Sequence, residues 1–198
     1  MTSFDDVVRR RRMVRNFEST PIDEAVVDRM LDLARRCPSA GYSQGFDFVV
    51  LQGPGQTARF WDMPGVREHW EPRFPGVLRA PVLVLPVADR TRYLRRYSEQ
   101  DKVAAGLQEA SAWPVPYWLV DTAMATMTLL HAVVDAGLGA LFFGLRGYGA
   151  LLEQLRVPAD REPIGVVAIG HPADDQRTGS PLTRSRRPLS EVIHRGGW

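Results

Sequence analysis

The sequence predicts one globular domain that combines α-helices with buried β-strands. Residues 23–36 carry apolar side chains at helical spacing, and residues 82–88 form the continuous apolar run that is typical of a buried strand. The chain has 198 residues, which is enough for one hydrophobic core, and it contains no internal repeat or dividing linker. A single domain spanning residues 1–198 is therefore expected.

Helices and strands are expected to alternate along the chain. The first helix begins near Ser3, and the second covers residues 23–36, with Asp23 as its N-cap and Ile22 packed on Val27. Cys37-Pro38 ends this second helix, because a residue before proline disfavours the helical region. The remaining segments are strands at 46–52, 82–88, 140–143 and 163–169, helices at 91–110, 117–136 and 148–155, and a helical turn at 189–194.

The region from about residue 53 to 116 is expected to include a variable lid. Its first part, residues 53–81, is rich in proline, glycine and tryptophan and has no sustained period. The helix at 117–136 is strongly apolar, but Asp121 and His131 interrupt it. We interpret it as a buried helix and not as a membrane span.

Composition excludes several classes of protein. The formal net charge is only +2, from 25 basic and 23 acidic residues, which is a weak footprint for nucleic-acid binding. Cys37 is the only cysteine, so an intrachain disulfide is impossible and a reducing cytoplasm is the expected location. The N-terminus lacks the apolar region of a signal peptide, and the histidines lack the short spacing of a metal site. No membrane, nucleic-acid or metal partner is expected.

The run Arg9 to Arg15 contains five arginines in seven residues. A solvated charge run and a basic tag are the ordinary interpretations. On a continuous helix, however, Arg11 would fall on the side of Phe4 and Val7, with Arg12 at its flank, whereas Arg9 and Arg10 would face solvent. A guanidinium near the core needs an anion, and phosphate matches its paired donors. Arg11, Arg12 and Arg15 are therefore candidate phosphate ligands.

Two short motifs suggest other chemistry but occur in the wrong context. Residues 41–45 match the G-x-S-x-G pattern of serine hydrolases, with Ser43 as the nucleophile. That pattern needs a strand before the serine and a helix after it, whereas here a helix precedes it and a strand follows. Gly137-Leu138-Gly139 likewise follows a helix, the reverse of a dinucleotide-binding turn. The hydrolase using Ser43 is kept only as an alternative.

Several segments in the right order resemble the nitroreductase family of flavin oxidoreductases. Residues 11–17, Arg-Arg-Met-Val-Arg-Asn-Phe, match its R-R-S-x-R-x-F opening, and residues 38–44, from Pro38-Ser39 to Gln44, match its P-S-a-x-N-x-Q motif. The segments at 136–140, 155–158, 166–172 and 184–192 resemble its C-terminal half. The resemblance spans nearly the whole chain and is weakest between residues 53 and 116.

This resemblance implies an α+β fold with a central mixed sheet flanked by helices, in an interlocked homodimer that binds FMN at its interface. By residue, it implies phosphate and ribityl contacts from one chain and a flavin-lining loop from the partner chain. The implied cofactor-binding residues are Arg11, Arg12, Met13, Arg15, Pro38, Ser39, Ala40, Gln44, Phe142, Phe143, Gly144, Arg184 and Arg186. An aromatic lid over the flavin is expected from Trp113, Tyr117 and Trp118, with Trp61 and Trp70 as weaker candidates.

The implied activity is hydride transfer from NAD(P)H through FMN to a quinone or nitroaromatic acceptor. Met13 stands where the family usually has serine, and Tyr42 stands where it has asparagine. These departures leave open whether FMN or a deazaflavin binds. A non-catalytic flavin or deazaflavin storage protein is the second hypothesis.

Overall fold

The computed structural model describes residues 3–144, 147, 149–174 and 183–198, and its described strands form one sheet. The strand order is β1-β2-β5-β3, with β4 also paired to β2, and every ladder is antiparallel. The parallel component is a single bridge between Met13 and Ala140. The strands are β1 (Phe46–Gln52), β2 (Val82–Asp89), β3 (Gly139–Phe143), β4 (Arg161–Pro163) and β5 (Val166–Gly170).

The α-helices cover both faces of this sheet. They are α1 (Phe4–Arg10), α2 (Glu24–Ala34), α3 (Pro54–Trp61), α4 (Val66–Trp70), α5 (Arg90–Tyr97), α6 (Tyr117–Asp135) and α7 (Gly149–Gln154). Alternate side chains of β2 point to opposite faces, as the pleat requires. Val82 and Val84 pack with α2 and α6, whereas Leu83 and Leu85 pack with α3. This two-layered core confirms the α+β expectation.

The clearest local predictions are confirmed. Strand β1 has the predicted bounds, β2 is buried along its whole length, and α2 begins after Asp23, whose side chain accepts a hydrogen bond from Ala25 N. Ile22 and Val27 belong to the same buried cluster, as the staple requires. The long apolar helix α6 gives way to Gly137, whose positive φ of 75° suits glycine.

Helix α6 has the length and hydropathy of a membrane span, although the core helix of a globular protein meets the same criterion. Its inner side packs into the core beside α2 and the sheet, through residues such as Leu129 and Val133. This placement agrees with the interpretation of α6 as a buried helix.

The segment after β1 differs from the sequence-based expectation. Residues 54–79 form α3, α4 and a 3-10 helix at Pro75–Arg79 instead of an unstructured stretch. Trp61 is fully buried beside Phe60 and does not act as a lid residue. Helices of five to eight residues make only one or two turns, which is less than the window of about 11–18 residues over which a helical period can be recognised.

Other boundaries also need correction. The helix expected at 91–110 ends at Tyr97, and 3-10 turns at Val103–Ala105 and Ala110–Ala112 follow it. The strand expected at 163–169 is divided into β4 and β5. The helix expected at 148–155 is found at Gly149–Gln154, whereas Tyr148 lies outside the described residues. The expected turn near 189–194 is a 3-10 helix at Leu189–Glu191.

Candidate functional site

The arginine segment, residues 11–15, runs beside the first part of β3. Val14 N donates a hydrogen bond to Ala140 O at 2.9 Å, next to the parallel bridge between Met13 and Ala140. The Met13 thioether accepts a hydrogen bond from Phe142 N at 3.4 Å, so this side chain is turned toward the strand. The sheet edge thus fixes the backbone from which the arginines project.

The helical-phase prediction for Arg11 is wrong in its premise. Helix α1 begins after Ser3, close to its expected start, but it ends at Arg10, and Arg11 has an extended backbone with a ψ of 120°. Of the two residues expected on the core-facing side, Val7 is buried but Phe4 is exposed. Arg9 and Arg10 are exposed as predicted, and Arg9 lies 3.9 Å from Asp5.

The three candidate phosphate ligands differ in their surroundings. Arg11 and Arg15 are half-buried, whereas Arg12 is exposed. Arg15 donates a hydrogen bond to Met13 O at 3.3 Å, and its guanidinium lies 5.5 Å from the centre of the Phe74 ring. The pKa of His131 is lowered by partial burial and by the positive charge of Arg11, which places Arg11 near the last third of α6.

The second candidate region is the serine loop, residues 38–44, between α2 and β1. Ser39 Oγ accepts a hydrogen bond from Gln44 N at 2.9 Å, and Ser43 Oγ donates one to Ala40 O at 2.6 Å. The values of φ at Gly41, Tyr42 and Gln44 are 61°, 57° and 48°. Left-handed backbone is unfavourable for tyrosine and glutamine, so the loop holds a strained conformation.

A buried carboxylate of α6 holds this loop. Asp121 is only 1% exposed, and its Oδ2 accepts hydrogen bonds from Ala40 N at 2.8 Å and from the Tyr93 hydroxyl at 2.7 Å. In the sequence Asp121 is recognisable as an interruption of an apolar helix, but its hydrogen-bond partners are not. They come from two other parts of the chain, the serine loop and α5.

Asp121 also suppresses ionisation of its neighbours. Burial and then the charge of Asp121 raise the pKa of Cys37 to about 11, and the thiol lies 3.6 Å from Asp121 O. Burial, followed by the hydrogen bond to Asp121 and the charge of that carboxylate, raises the pKa of Tyr93. Near neutral pH both groups are therefore protonated, and Cys37 is a poor nucleophile.

The hydrolase alternative fails on geometry. Ser43 is buried, and its hydroxyl is bound to a backbone carbonyl of its own loop. A 3-10 helix at Ala40–Tyr42 precedes it and β1 follows it, so the strand–serine–helix arrangement is absent from this described segment. The four histidines are all described, and none is hydrogen bonded to Ser43.

The predicted flavin-facing residues at the end of β3 differ in burial. Phe143 is buried against Trp61 and Trp70, with ring centres 6.2 and 4.6 Å away, so its side chain belongs to the core. Phe142, on the other face of the strand, is half-buried, and Gly144 is exposed. These two remain available to a ligand.

Some residues of the predicted aromatic lid are buried and others are exposed. Trp113 and Trp118 are buried and pack edge-to-face on Tyr93, with ring centres 5.9 and 6.3 Å away, so they belong to a small core and do not form a mobile cover. Tyr117 is exposed at the start of α6. Trp70 is half-buried in the main core, against Phe143.

The C-terminal arginines occupy an exposed segment. Arg184 and Arg186 both lie on the surface, in residues 183–198. The neighbouring Arg187 pairs with Glu191 at 3.3 Å. Two cavities of about 450 and 340 Å³ lie elsewhere, beside α3, and none of the predicted cofactor residues lines them.

The arginine segment and the serine loop meet different parts of α6. The loop is bound to Asp121 and Arg11 lies near His131, ten positions further along the helix. At about 1.5 Å per residue, the two regions are separated by roughly 15 Å along the helix axis. Among the described residues, no group of three or more histidine, cysteine or acidic side chains could hold a metal ion.

Comparison with known proteins agrees with this architecture. The nitroreductase family model matches residues 8–171. The FMN reductase [NAD(P)H] of Bacillus subtilis is 25% identical over 191 residues, covering 92% of this chain and 69% of that protein. An NADPH-dependent oxidoreductase of Staphylococcus aureus is 22% identical over 193 residues, covering 96% of this chain and 71% of that protein.

Solved structures share the fold at lower identity. The structure of B. megaterium NfrA1 superposes with a TM-score of 0.77 at 18% identity, covering all of this chain and 75% of that one. A nitroreductase family protein from Streptococcus pneumoniae gives a TM-score of 0.76 at 18% identity, covering 98% of this chain and all of that one. The family model, matched over most of the chain, and the shared sheet and helices show that this protein belongs to the nitroreductase family.

Proposed function

We propose that this protein is an NAD(P)H-dependent FMN oxidoreductase that reduces a quinone or nitroaromatic acceptor. The observation that carries the proposal is the pair of motif segments, arginine segment and serine loop, within a chain of the nitroreductase family. The FMN reductase [NAD(P)H] of Bacillus subtilis supports the same cofactor and electron donor. Bound FMN would accept hydride from NAD(P)H and pass electrons to the acceptor.

The available donors fit FMN. Guanidinium groups suit a phosphate dianion, because two parallel N–H donors match two oxygens. We assign the phosphate and ribityl chain to Arg11, Arg12 and Arg15, completed by Arg184 and Arg186 of the exposed C-terminal segment. Met13 contributes backbone only, because its thioether is turned to Phe142 N.

The isoalloxazine ring is assigned to the serine loop and the end of β3. The proposed contacts are Pro38, Ser39, Ala40 and Gln44, together with Phe142 and Gly144. Ala40 and Ser39 are half-buried in a loop fixed by internal hydrogen bonds, which suits a rigid ligand. Tyr117, exposed at the start of α6, is the remaining candidate to cover the acceptor.

The cofactor site is proposed to need two chains in a homodimer. Membership of the nitroreductase family, whose members are typically dimeric, supports an FMN held by the arginine segment of one protomer and the serine loop of its partner. An exposed apolar face accompanies this geometry. It consists of Phe4 and Val8 on α1 and Val120, Met124 and Met127 on α6. Such a face on adjacent helices suits a self-complementary contact.

A cytoplasmic location is also proposed, because a lone cysteine is typical of proteins from reducing compartments.

The whole cofactor-binding function is proposed to lie in a single domain. Of the earlier lid segment, only residues near 103–117 remain candidates for a cover, since residues 54–79 pack as helices.

The test begins with purified protein. A yellow preparation with flavin absorption bands, and a released cofactor with the mass of FMN, is the expected result. Steady-state oxidation of NADPH in the presence of a quinone should then exceed oxidation without the quinone. A colourless protein that binds no added FMN would contradict the cofactor assignment.

A non-catalytic flavin or deazaflavin carrier is the second candidate function. It is favoured by the side chain of Met13, which offers no hydroxyl where the family usually has serine, and by Tyr42 in place of asparagine. A coloured protein that oxidises neither NADH nor NADPH with any acceptor would favour this carrier. The cofactor mass separates FMN from a deazaflavin.

A further inference from the structure

Asp121 is a buried carboxylate, and packing alone does not explain why an acidic residue occupies this position. It is 1% exposed within an apolar helix, and the recorded partners of its Oδ2 are an amide N–H and a phenol O–H, both neutral groups. Burying a carboxylate is unfavourable unless hydrogen bonds compensate, and an apolar side chain would serve helix packing better. The position therefore requires an acceptor at this point.

The group that Asp121 holds is the backbone of the strained serine loop. Ala40 N donates to Asp121 Oδ2, and the next residues, Gly41 and Tyr42, both have left-handed backbone. A strained turn persists only where its surroundings determine it. Asp121 provides this constraint from inside the protein.

A second anchor acts on the adjacent residue from the outside. Arg96 Nε donates a hydrogen bond to Gly41 O at 2.9 Å. The same guanidinium is held by Asp101 at 2.7 Å and by Glu99 at 2.8 Å, and these ion pairs raise the pKa of Arg96. The loop is thus fastened at Ala40 N and at Gly41 O, by groups from α6 and α5.

We propose that Asp121 is a positioning residue that sets the serine loop for the bound flavin, through its hydrogen bonds to Ala40 N and to the Tyr93 hydroxyl. The inference rests on the proposed function for its ligand, but its structural part does not need a ligand. Both donors meet the same carboxylate oxygen, so the required feature is one acceptor and not the negative charge. That distinction makes the proposal testable with closely matched variants.

The variants are Asp121→Leu, Asp121→Asn and the control Thr126→Val. Leucine removes the acceptor, whereas asparagine keeps a carbonyl oxygen that can accept from both donors. Thr126 is buried on the same helix, and its hydroxyl donates only to Thr122 O within the helix, so the control disturbs α6 without touching the loop.

Hydrogen exchange of the peptide containing residues 38–45 is measured first, in protein without added cofactor. Asp121→Leu leaves the N–H of Ala40 without its acceptor, and this loss is expected to accelerate exchange in the peptide by about tenfold. Asp121→Asn and Thr126→Val should remain within about threefold of the original protein in this peptide. Unchanged exchange in Asp121→Leu would overturn the proposal.

FMN titration, followed by flavin fluorescence at a temperature where every variant is folded, is the second readout. The Kd should rise by about tenfold in Asp121→Leu and stay near the original value in the other two variants. A purely structural role would lower the melting temperature and leave this Kd unchanged. An equal loss of FMN affinity in the leucine and asparagine variants would show that the negative charge, and not the hydrogen-bond acceptor, is required. That result would also overturn the proposal. If the original protein binds no FMN, the proposed function fails while the exchange result still decides the role of Asp121.

Discussion

The arginine segment and the serine loop are held by opposite means. The arginine segment is an extended stretch tied to β3 through its backbone, and its guanidinium groups are exposed or half-buried. The serine loop is a strained turn that is hydrogen bonded to the buried carboxylate of Asp121 and to the guanidinium of Arg96. The first region supplies charge from exposed or half-buried side chains, and the second supplies fixed geometry. Substitutions in the two regions should therefore have different effects on FMN binding and on stability.

Removing guanidinium groups is expected to give the largest effect. Each hydrogen-bonded contact to an anion contributes about 1.5–3 kcal/mol, so Arg11→Ala or Arg15→Ala should weaken FMN binding by roughly tenfold to a hundredfold, and the double variant by more. Isothermal titration at two salt concentrations measures this loss, which should be smaller at high salt. Arg9→Ala is the matched control, since Arg9 is exposed and lies near Asp5. Equal losses at all three positions would contradict the division of the run.

Cys37 tests the electrostatic environment around the serine loop. Its pKa is raised from 9.0 to about 11, so its thiolate fraction at pH 8 should be about a hundredfold lower than that of an unfolded chain. Alkylation by iodoacetamide, compared in native and denatured protein, measures this protection. Asp121→Asn should accelerate alkylation, because the charge of Asp121 contributes to the raised pKa.

The same thiol predicts a pH dependence of stability. A pKa raised on folding favours the protonated native state, so its contribution is complete below about pH 9 and is lost as the pH rises through about 11. Urea denaturation of Cys37→Ala should lack this alkaline loss. Identical pH profiles for Cys37→Ala and the original protein would contradict the assignment.

Gly45→Ala should break the packing of the serine loop. A methyl group there would lie 2.7 Å from Asp89 O and would also meet the Tyr93 ring. Such overpacking should lower the free energy of unfolding by about 1–3 kcal/mol, as measured by urea denaturation. Gly55→Ala is the control, because a methyl group at Gly55 meets nothing within 4 Å. A loss no larger at Gly45 than at Gly55 would refute the close contact.

Relief of backbone strain should give the smallest effect. Tyr42 is 77% exposed with a φ of 57°, so Tyr42→Gly removes an unfavourable left-handed conformation and little buried surface. The gain is offset by the flexibility of glycine in the unfolded chain, leaving a change within about 1 kcal/mol in either direction. Tyr42→Val, which tolerates this φ poorly, should be less stable than Tyr42→Gly in thermal melts. The opposite order would contradict the strain.

Local patterns in the sequence were sufficient for part of the fold. The bounds of β1 and the N-cap of α2 depend on neighbouring residues, and these predictions are confirmed. Strand β2 extends one residue beyond its predicted end, to Asp89, and α2 ends at Ala34, two residues before its predicted end. The short helices at 54–70 differ from the prediction, because one or two turns contain too few residues for a helical period to be recognised. Sequence alone does not reveal that Trp61 and Trp70 cover the face of β3 on which the Phe143 ring lies.

The site shows a similar limit. Motif resemblance identified the arginine segment and the serine loop, whose roles in cofactor binding stay predictions. Asp121 was visible only as an interruption of an apolar helix. Its partners, Ala40 and Tyr93, are 81 and 28 residues away in sequence, so only the tertiary structure brings them together.

Mixed dimers test the central claim, that one FMN is held by the arginine segment of one protomer and the serine loop of its partner. A chain carrying Arg15→Ala is coexpressed with a differently tagged chain carrying Asp121→Leu, and the mixed species is purified through both tags. One of its two sites would carry both lesions, while the other would combine an intact arginine segment with an intact serine loop. We predict one tightly bound FMN per mixed dimer, against none in either parent variant. Two weak sites and no tight site would show that each chain builds its site alone and would contradict the account.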